Sequence, residues 1–386
     1  MLIFVAKTGA QAAVAVTFAI GLNDFFSGQL KQVLLKQNIF GFEYELTSLQ
    51  LIAVMIIIIF TTINCASVIL SGHIATVLTF VKIALVAFVG IGAFVWVTGG
   101  DFAHFSMIND GGKCEGVADS VKYGSASYSF IAGFGAAMLG ALWGYDGWNN
   151  LSLVAGEIEK PERNIPLALI GGTIVIIILY VFAHIAYFYV LDPTQIASVS
   201  KDSSVAQEVA VRFLGAGALV LMATGLMASS IGTLHTSILT GARVPYAMAK
   251  DGVMFKSMGT LSATHVPVVA LIVQGLWACL LALSGSFDTL TDYVIFGSWI
   301  FYAFVTASVF VFRTKYPDAE RPYKTFGYPI VPILFILVAG WLLINTISSN
   351  PMRSFIGIFL ILIGLPVYYY LTKKGAAMAE VADMTA

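Results

Sequence analysis

The sequence predicts an all-α integral membrane protein, and three observations carry that expectation. Apolar residues make up 59% of the 386, charged residues only 11%, and mean hydropathy is +0.89. A soluble domain carries about 25% charge. Apolar stretches near 20 residues, long enough to cross a bilayer as helix, recur along the whole chain. Short segments of alternating hydrophobicity, which a membrane barrel requires, are not evident.

Ten stretches qualify, at about 1–26, 49–70, 75–98, 128–153, 167–191, 214–240, 267–284, 288–312, 329–347 and 354–371. They make one membrane domain over 1–374, with a short tail at 375–386. The first begins in apolar residues at Met1, with no polar leader, and is too long for the apolar part of a signal peptide. The net charge of −1 points to neither nucleic acid nor an anionic surface. Cys65 and Cys279 fall in apolar stretches and Cys114 in a polar loop. Without CxxC or Cys/His ligand spacing, neither a metal site nor a disulfide framework is expected. There is no P-loop, glycine-rich dinucleotide fingerprint or Ser–His–Asp set, so no cofactor and no enzymatic activity is expected. A membrane enzyme clusters His, Asp or Glu inside its spans and a channel repeats a pore lining. The isolated charges here favour a transporter.

Orientation follows from Lys and Arg near the span ends. One set of loops holds Lys160, Arg163, Arg243, Lys250, Lys256, Arg313, Lys315, Arg321, Lys324, Lys373 and Lys374. The opposite set holds Lys31, Lys36, Lys113, Lys122, Lys201, Arg212 and Arg353. The richer side is expected in the cytoplasm, together with the C-terminus. The loops at about 27–48, 99–127 and 192–213 then lie outside.

The fourth stretch carries the main candidate site. Gly144 and Gly147 bracket Tyr145 and Asp146 inside an apolar segment, with Gly140 one turn earlier. Glycine costs a helix about 1 kcal/mol against alanine. A carboxylate at mid-membrane costs at least about 2.5–3.5 kcal/mol. Such a cluster fits a helix that unwinds so that its backbone groups face a cavity. Close helix crossing, with Asp146 paired to a neighbour, is the alternative. Trp143 and Tyr145 either wall a pocket or fill core. Lys82, deep in the third stretch, either meets a buried partner or snorkels to the surface. Ser229, Ser230, Gly232, Thr233, Thr236, Ser237 and Thr240 make the sixth stretch small and polar, for close packing or for a cavity face. His184 and His235 read as hydrogen-bonded core residues.

At this point a family resemblance enters. "ALWGYDGWNNLSLVAGEIEKPERNIPLAL" (141–169) resembles the sixth helix and following loop of the L-type amino acid transporters, within the amino acid–polyamine–organocation superfamily. In order along the chain, 8–19 is similar to family helix three, 61–86 to helices four and five, and 179–191 to helix seven. Residues 229–254 are similar to helix eight and 313–332 to the loop after helix ten. The resemblance implies a LeuT-like five-plus-five inverted repeat followed by two helices. It implies sodium-independent transport of an L-amino acid, often by exchange. By position it puts Leu142, Trp143, Gly144, Tyr145, Asp146, Gly147, Ser298 and Trp299 at the substrate. It makes Lys82 stand where sodium-coupled relatives hold an ion, bracing family helices one and eight near Ser229 and Ser230. The large Trp143 suggests small neutral substrates such as alanine, serine or threonine. A polyamine or amine permease of the same superfamily is the alternative.

Departures from the family carry expectations too. The resemblance starts in helix three, so about ten of twelve helices have a counterpart. The broken first helix, half of the family's site, has none. The polypeptide alone is therefore expected not to transport, as a fragment of a transporting parent. Family helix seven often holds asparagine where this chain has His184. Members that pair with a glycoprotein use a cysteine after helix three. Residues 27–48 contain none, so no disulfide-linked heavy subunit is expected.

Overall fold

The computed structural model describes residues 7–39, 42–66, 68–109, 122, 124–199, 203–284, 287–321, 323–349, 351–366 and 368–370. Lys113, Cys114, Lys201, Lys373, Lys374 and the tail at 375–386 lie outside the described residues. The helices are α1 (Thr8–Phe25), α2 (Ser48–Ala66), α3 (Val68–Trp96), α4 (Phe130–Gly144), α5 (Pro161–Val190), α6 (Pro193–Ala197) and α7 (Val205–Leu214). They continue with α8 (Gly217–Gly241), α9 (Arg243–Lys250), α10 (Val268–Ser284), α11 (Phe287–Lys315), α12 (Ile330–Ser349) and α13 (Pro351–Leu362). Short 3-10 stretches occupy Phe102–Ser106, Trp148–Glu157 and Lys256–Gly259.

Among the described residues, six helical segments are long and apolar enough to cross a bilayer: Ser48–Ala66, Gly72–Trp96, Pro161–Val190, Gly217–Lys250, Val294–Lys315 and Ile330–Ser348. Val268–Ser284 and Ser354–Tyr370 are shorter apolar helices. The chain is a multi-pass membrane protein. The six are fewer than the ten stretches for physical reasons. α1 dilutes its apolar residues with Thr8, Gln11, Asn23 and Asp24. The stretch at 128–153 is not one helix, because α4 ends at Gly144.

The loop between α1 and α2 holds an antiparallel hairpin, β1 (Val33–Ile39) and β2 (Phe42–Thr47), which the all-helical expectation omitted. Its signal is local: Phe42, Tyr44 and Leu46 alternate with Glu43, Glu45 and Thr47, the period of a strand. Lys36 pairs with Glu45 across the strands at 2.7 Å, and its ammonium holds the exposed Glu45 carboxyl below the usual carboxylate range. Tyr44 Oη donates to Leu283 O at 2.8 Å, tying the hairpin to the end of α10.

The main core sits where α1, α2, α8 and α10 meet. α1 packs against α8, α2, α10 and α11, and its Ala12, Ala13, Ala15 and Ala19 are fully buried. Small side chains let backbones approach closely, which drives helix association in lipid. At Gly9 an added Cβ would lie 2.8 Å from the Val294 side chain, so that approach depends on glycine. Polar residues join the seam. Gln11 Nε2 donates to Ser237 O at 3.0 Å, and Gln274 Nε2 to Ile238 O at 3.2 Å. His235 is fully buried, with Asn64 Nδ2 3.1 Å from its Nδ1 and Phe60 edge-on to its ring, so its place is in the core. A second, smaller core joins α3, α5 and α7 through Val89, Ala93, Ala186 and Val209.

Candidate functional site

The site begins with a failure of α4's hydrogen-bond ladder. Tyr145 N still donates four residues back, to Ala141 O, at 3.2 Å. Asp146 N turns instead to Trp143 O, three residues back, at 3.1 Å. Gly147 then takes φ +96°, a left-handed value that glycine adopts without steric cost. The chain resumes as the 3-10 stretch Trp148–Glu157, which leaves helical geometry again at Val154. Gly144 is the last residue of α4, and Tyr145–Gly147 are the break.

Groups from three other elements converge on it. Tyr302 of α11, nearly buried, donates its hydroxyl to Asp146 Oδ1 at 2.8 Å. Ser298 and Asn149 are also hydrogen-bonded to the Tyr302 side chain. Lys7, at the start of α1 and 6% exposed, donates to Asn150 Oδ1 at 2.5 Å and lies 3.5 Å from Asn149 Oδ1. Its ammonium feels the field of the Asp146 carboxylate. Asp146 is therefore compensated on two sides, the condition an acid inside a membrane requires. On the α5 side, Tyr180 Oη donates to Gly144 O at 3.0 Å, and its ring meets Tyr145 edge-on.

A cavity of about 810 Å³ runs beside the break between α4 and α5. Gly140, Gly144, Tyr145, Tyr180, His104 and His184 are among its lining residues. His184 faces it from the open side of α5, and its Nδ1–H donates to Tyr180 O at 2.8 Å. His104 makes the same kind of bond to Phe188 O at 3.0 Å. A carbonyl can only accept, so both rings hold their proton on Nδ1.

The other sequence-derived positions divide. Leu142 and Trp143 lie on the last turn of α4, with Trp143 against the main core. Ser298 is buried beside Tyr302. The Trp299 ring stacks on Phe335 of α12 at 5.5 Å and meets Tyr302 through an edge contact. Lys82 Nζ donates to Thr233 Oγ1 at 2.6 Å, and Thr233 Oγ1 donates to Ser229 O at 3.0 Å. The hydroxyl that Lys82 meets on α8 is thus Thr233, a turn beyond Ser229. Ser230 is buried. The small, polar α8 packs with one face and opens the other, since Gly232 and Ser230 are buried while Thr233 is exposed. Sequence reasoning does not reach Lys7, Asn149, Asn150 and Tyr302. Lys7 lies within the first apolar stretch without a visible partner in sequence, and Tyr302 is one of many aromatics.

Among the described residues no group of three or more His, Cys, Asp or Glu could hold a metal ion. The arrangement offers no nucleophile paired with a base. It sets two helix ends around a compensated carboxylate.

Comparison with known proteins agrees with that chemistry. The sequence profile of the amino acid permease family, "Amino acid permease", matches residues 4–369. The chain is 30% identical over 330 residues to the b(0,+)-type amino acid transporter 1 of Mus musculus, covering 83% of this chain and 62% of that protein. It is 28% identical over 347 residues to the serine/threonine exchanger SteT of Bacillus subtilis, covering 89% and 74%. The large neutral amino acids transporter small subunit 2 of Mus musculus is 28% identical over 327 residues, covering 84% and 58%. The chain thus spans 62% and 58% of the length of these two animal relatives.

Proposed function

We propose that this chain, which belongs to the amino acid permease family, carries the broken-helix site of a sodium-independent L-amino acid exchanger. It works by alternating access at the break in α4. The observation that carries this reading is the break itself, with Asp146 held by Tyr302 and within the field of Lys7. α4 ends at Gly144, so its negative dipole end faces the break, where an amino acid's ammonium is stabilised. The stretch starting at Trp148 presents the opposite end, suited to the carboxylate. The backbone of 144–147 thus matches both charges of a zwitterion, and Leu142, Trp143, Tyr145, Ser298 and Trp299 shape the space around the side chain.

The size of Trp143, on the last turn of α4 beside the break, supports small neutral amino acids such as alanine, serine or threonine. The match to a protein named a serine/threonine exchanger supports the same choice. The Lys82–Thr233 bond supports a bracing ammonium in place of a coupling ion. The Lys and Arg distribution supports a cytoplasmic C-terminus in the plasma membrane.

Countertransport tests this reading. Proteoliposomes holding the purified chain are loaded with unlabelled L-serine and offered labelled L-serine. Against the sequence expectation that the polypeptide alone does not transport, the compensated break in α4 predicts saturable, stereoselective uptake that ignores sodium and is inhibited by L-alanine but not by putrescine. Uptake inhibited by putrescine alone would favour an amine permease. No uptake at any load would leave a non-transporting polypeptide.

A further inference from the structure

We propose that Lys7 is a latch: its ammonium holds the segment after the break against α1, and translocation requires that tie to open. The proposal rests on the alternating-access reading. It adds a positioning residue that neither touches the substrate nor lies on α4.

Three features meet at Lys7. The first is the rigidity of its base. Lys7 precedes α1, which packs against α8, α2, α10 and α11, with Thr8, Gln11, Ala12 and Ala13 fully buried behind it. The second is the compliance of what it holds. Asn149 and Asn150 belong to the 3-10 stretch, whose hydrogen-bond geometry is poorer than that of an α-helix. Gly147 precedes that stretch with a left-handed φ and Val154 kinks it, so both of its sides can absorb a rotation. The third is the chemistry of the tie. Lys7 is 6% exposed and meets neutral amide oxygens, Asn150 Oδ1 at 2.5 Å and Asn149 Oδ1 at 3.5 Å. The nearby carboxylate of Asp146 accepts from Tyr302 instead.

A buried ammonium does not tolerate half-made contacts, because the lost partner must be replaced by water. The tie is therefore two-state. Closed, the 3-10 stretch lies against Tyr302, with the Trp148 ring 5.8 Å from the Tyr302 ring and Asn149 bonded to its hydroxyl, and Ser298 is buried beside that same tyrosine. Open, water solvates Lys7. Neutral partners suit a bond that must be remade each cycle. Two carboxylates would hold the ammonium too firmly, and an apolar side chain would not hold the stretch at all.

Thiol accessibility tests the latch without any substrate. Ser298→Cys is placed in the full chain in nanodiscs, and its modification by N-ethylmaleimide is followed peptide by peptide. The native, half-buried Cys65 and Cys279 serve as internal controls. Adding Lys7→Met should accelerate labelling of position 298 at least tenfold, leaving Cys65 and Cys279 unchanged. Asn150→Ala, which keeps the ammonium and removes its acceptor, should do the same. Lys7→Arg should stay near the parent rate. An unchanged rate at position 298 in both Lys7→Met and Asn150→Ala overturns the latch. A parallel rise at all three thiols also overturns it, because Lys7 would then merely support the fold. Failure of the transport reading appears separately, as absent countertransport in the parent chain.

Discussion

α2 and α5 are similarly apolar yet differently surrounded. Mean hydropathy over their most apolar windows is 2.3 and 2.6, but 44% of the first window is buried and none of the second. α2 turns Ala53, Thr61 and Asn64 toward the core it shares with α1, α8 and α10. α5 presents Ile174, Ile178 and Val181 outward, each more than half exposed. Hydropathy places a helix in the membrane and does not say whether it meets lipid or protein. Small and polar residues do that, and the α1–α2–α8–α10 region is rich in both. The break in α4 lies between the two regimes, with the packed core on one side and the cavity against α5 on the other.

The sharpest way to break this contrast is to add bulk to one glycine in each region. At Gly225 of α8, a Cβ would lie 2.1 Å from the Leu85 side chain, whereas at Gly171 of α5 nothing lies within 4 Å. Gly225→Leu should destabilise the protein by about 3 kcal/mol, near the upper range for overpacking. Gly171→Leu should be neutral or gain up to about 1 kcal/mol from helix propensity. Thermal unfolding in detergent, followed by tryptophan fluorescence, reads both. Equal melting shifts would mean that the two regions do not differ as described.

Next in size is the bond that ties α11 to the break. Tyr302→Phe deletes the donor to Asp146 and should cost about 1.5–3 kcal/mol, the worth of a hydrogen bond to a charged group. Amino acid affinity should fall about tenfold or more with it, as isothermal titration would show. Gly147→Ala forces a Cβ into left-handed geometry and should cost about 1–2 kcal/mol. Its effect should appear more in binding than in melting, because the break and not the core is strained. The smallest effect belongs to the hairpin. Glu45→Gln removes an exposed pair with Lys36 and should leave the melting temperature unchanged within error at physiological salt. Glu45 has a lowered pKa in the folded protein. Its contribution is therefore present above its unfolded pKa and is lost as pH falls through the folded one. A melting point that rises with acid between pH 5 and about pH 3 in the parent but not in Glu45→Gln would contradict this sign.

What the sequence makes legible follows from how local each signal is. The break is readable because two glycines around an acid, within one apolar run, all disfavour a continuous helix at the same place. Lys82 is readable because a lone cation deep in an apolar run stands out. Its partner is not: Ser229 and Thr233 lie four residues apart on one helix face, and only the packing of α3 on α8 selects Thr233. Lys7 is also a lone cation in an apolar run, but it lies six residues from the start of its stretch, where a long side chain can reach the surface, so its position alone does not mark it. Its burial depends on Asn149 and Asn150, more than 140 residues away. Tyr302 is hidden among 16 tyrosines and 28 phenylalanines. The hairpin escapes notice because an alternating six-residue pattern is weak beside spans of twenty apolar residues. Contacts distant in sequence, here α1 and α11 to the break, are what composition and periodicity do not reveal.

The central claim is that the break at 144–147 holds an amino acid's backbone. The most direct measurement is equilibrium binding of labelled L-alanine and L-serine to the purified chain, beside Gly147→Val and Gly171→Val. Saturable, stereoselective binding that Gly147→Val abolishes and Gly171→Val preserves is the result expected. Binding that survives Gly147→Val undiminished would place the ligand elsewhere and contradict the claim.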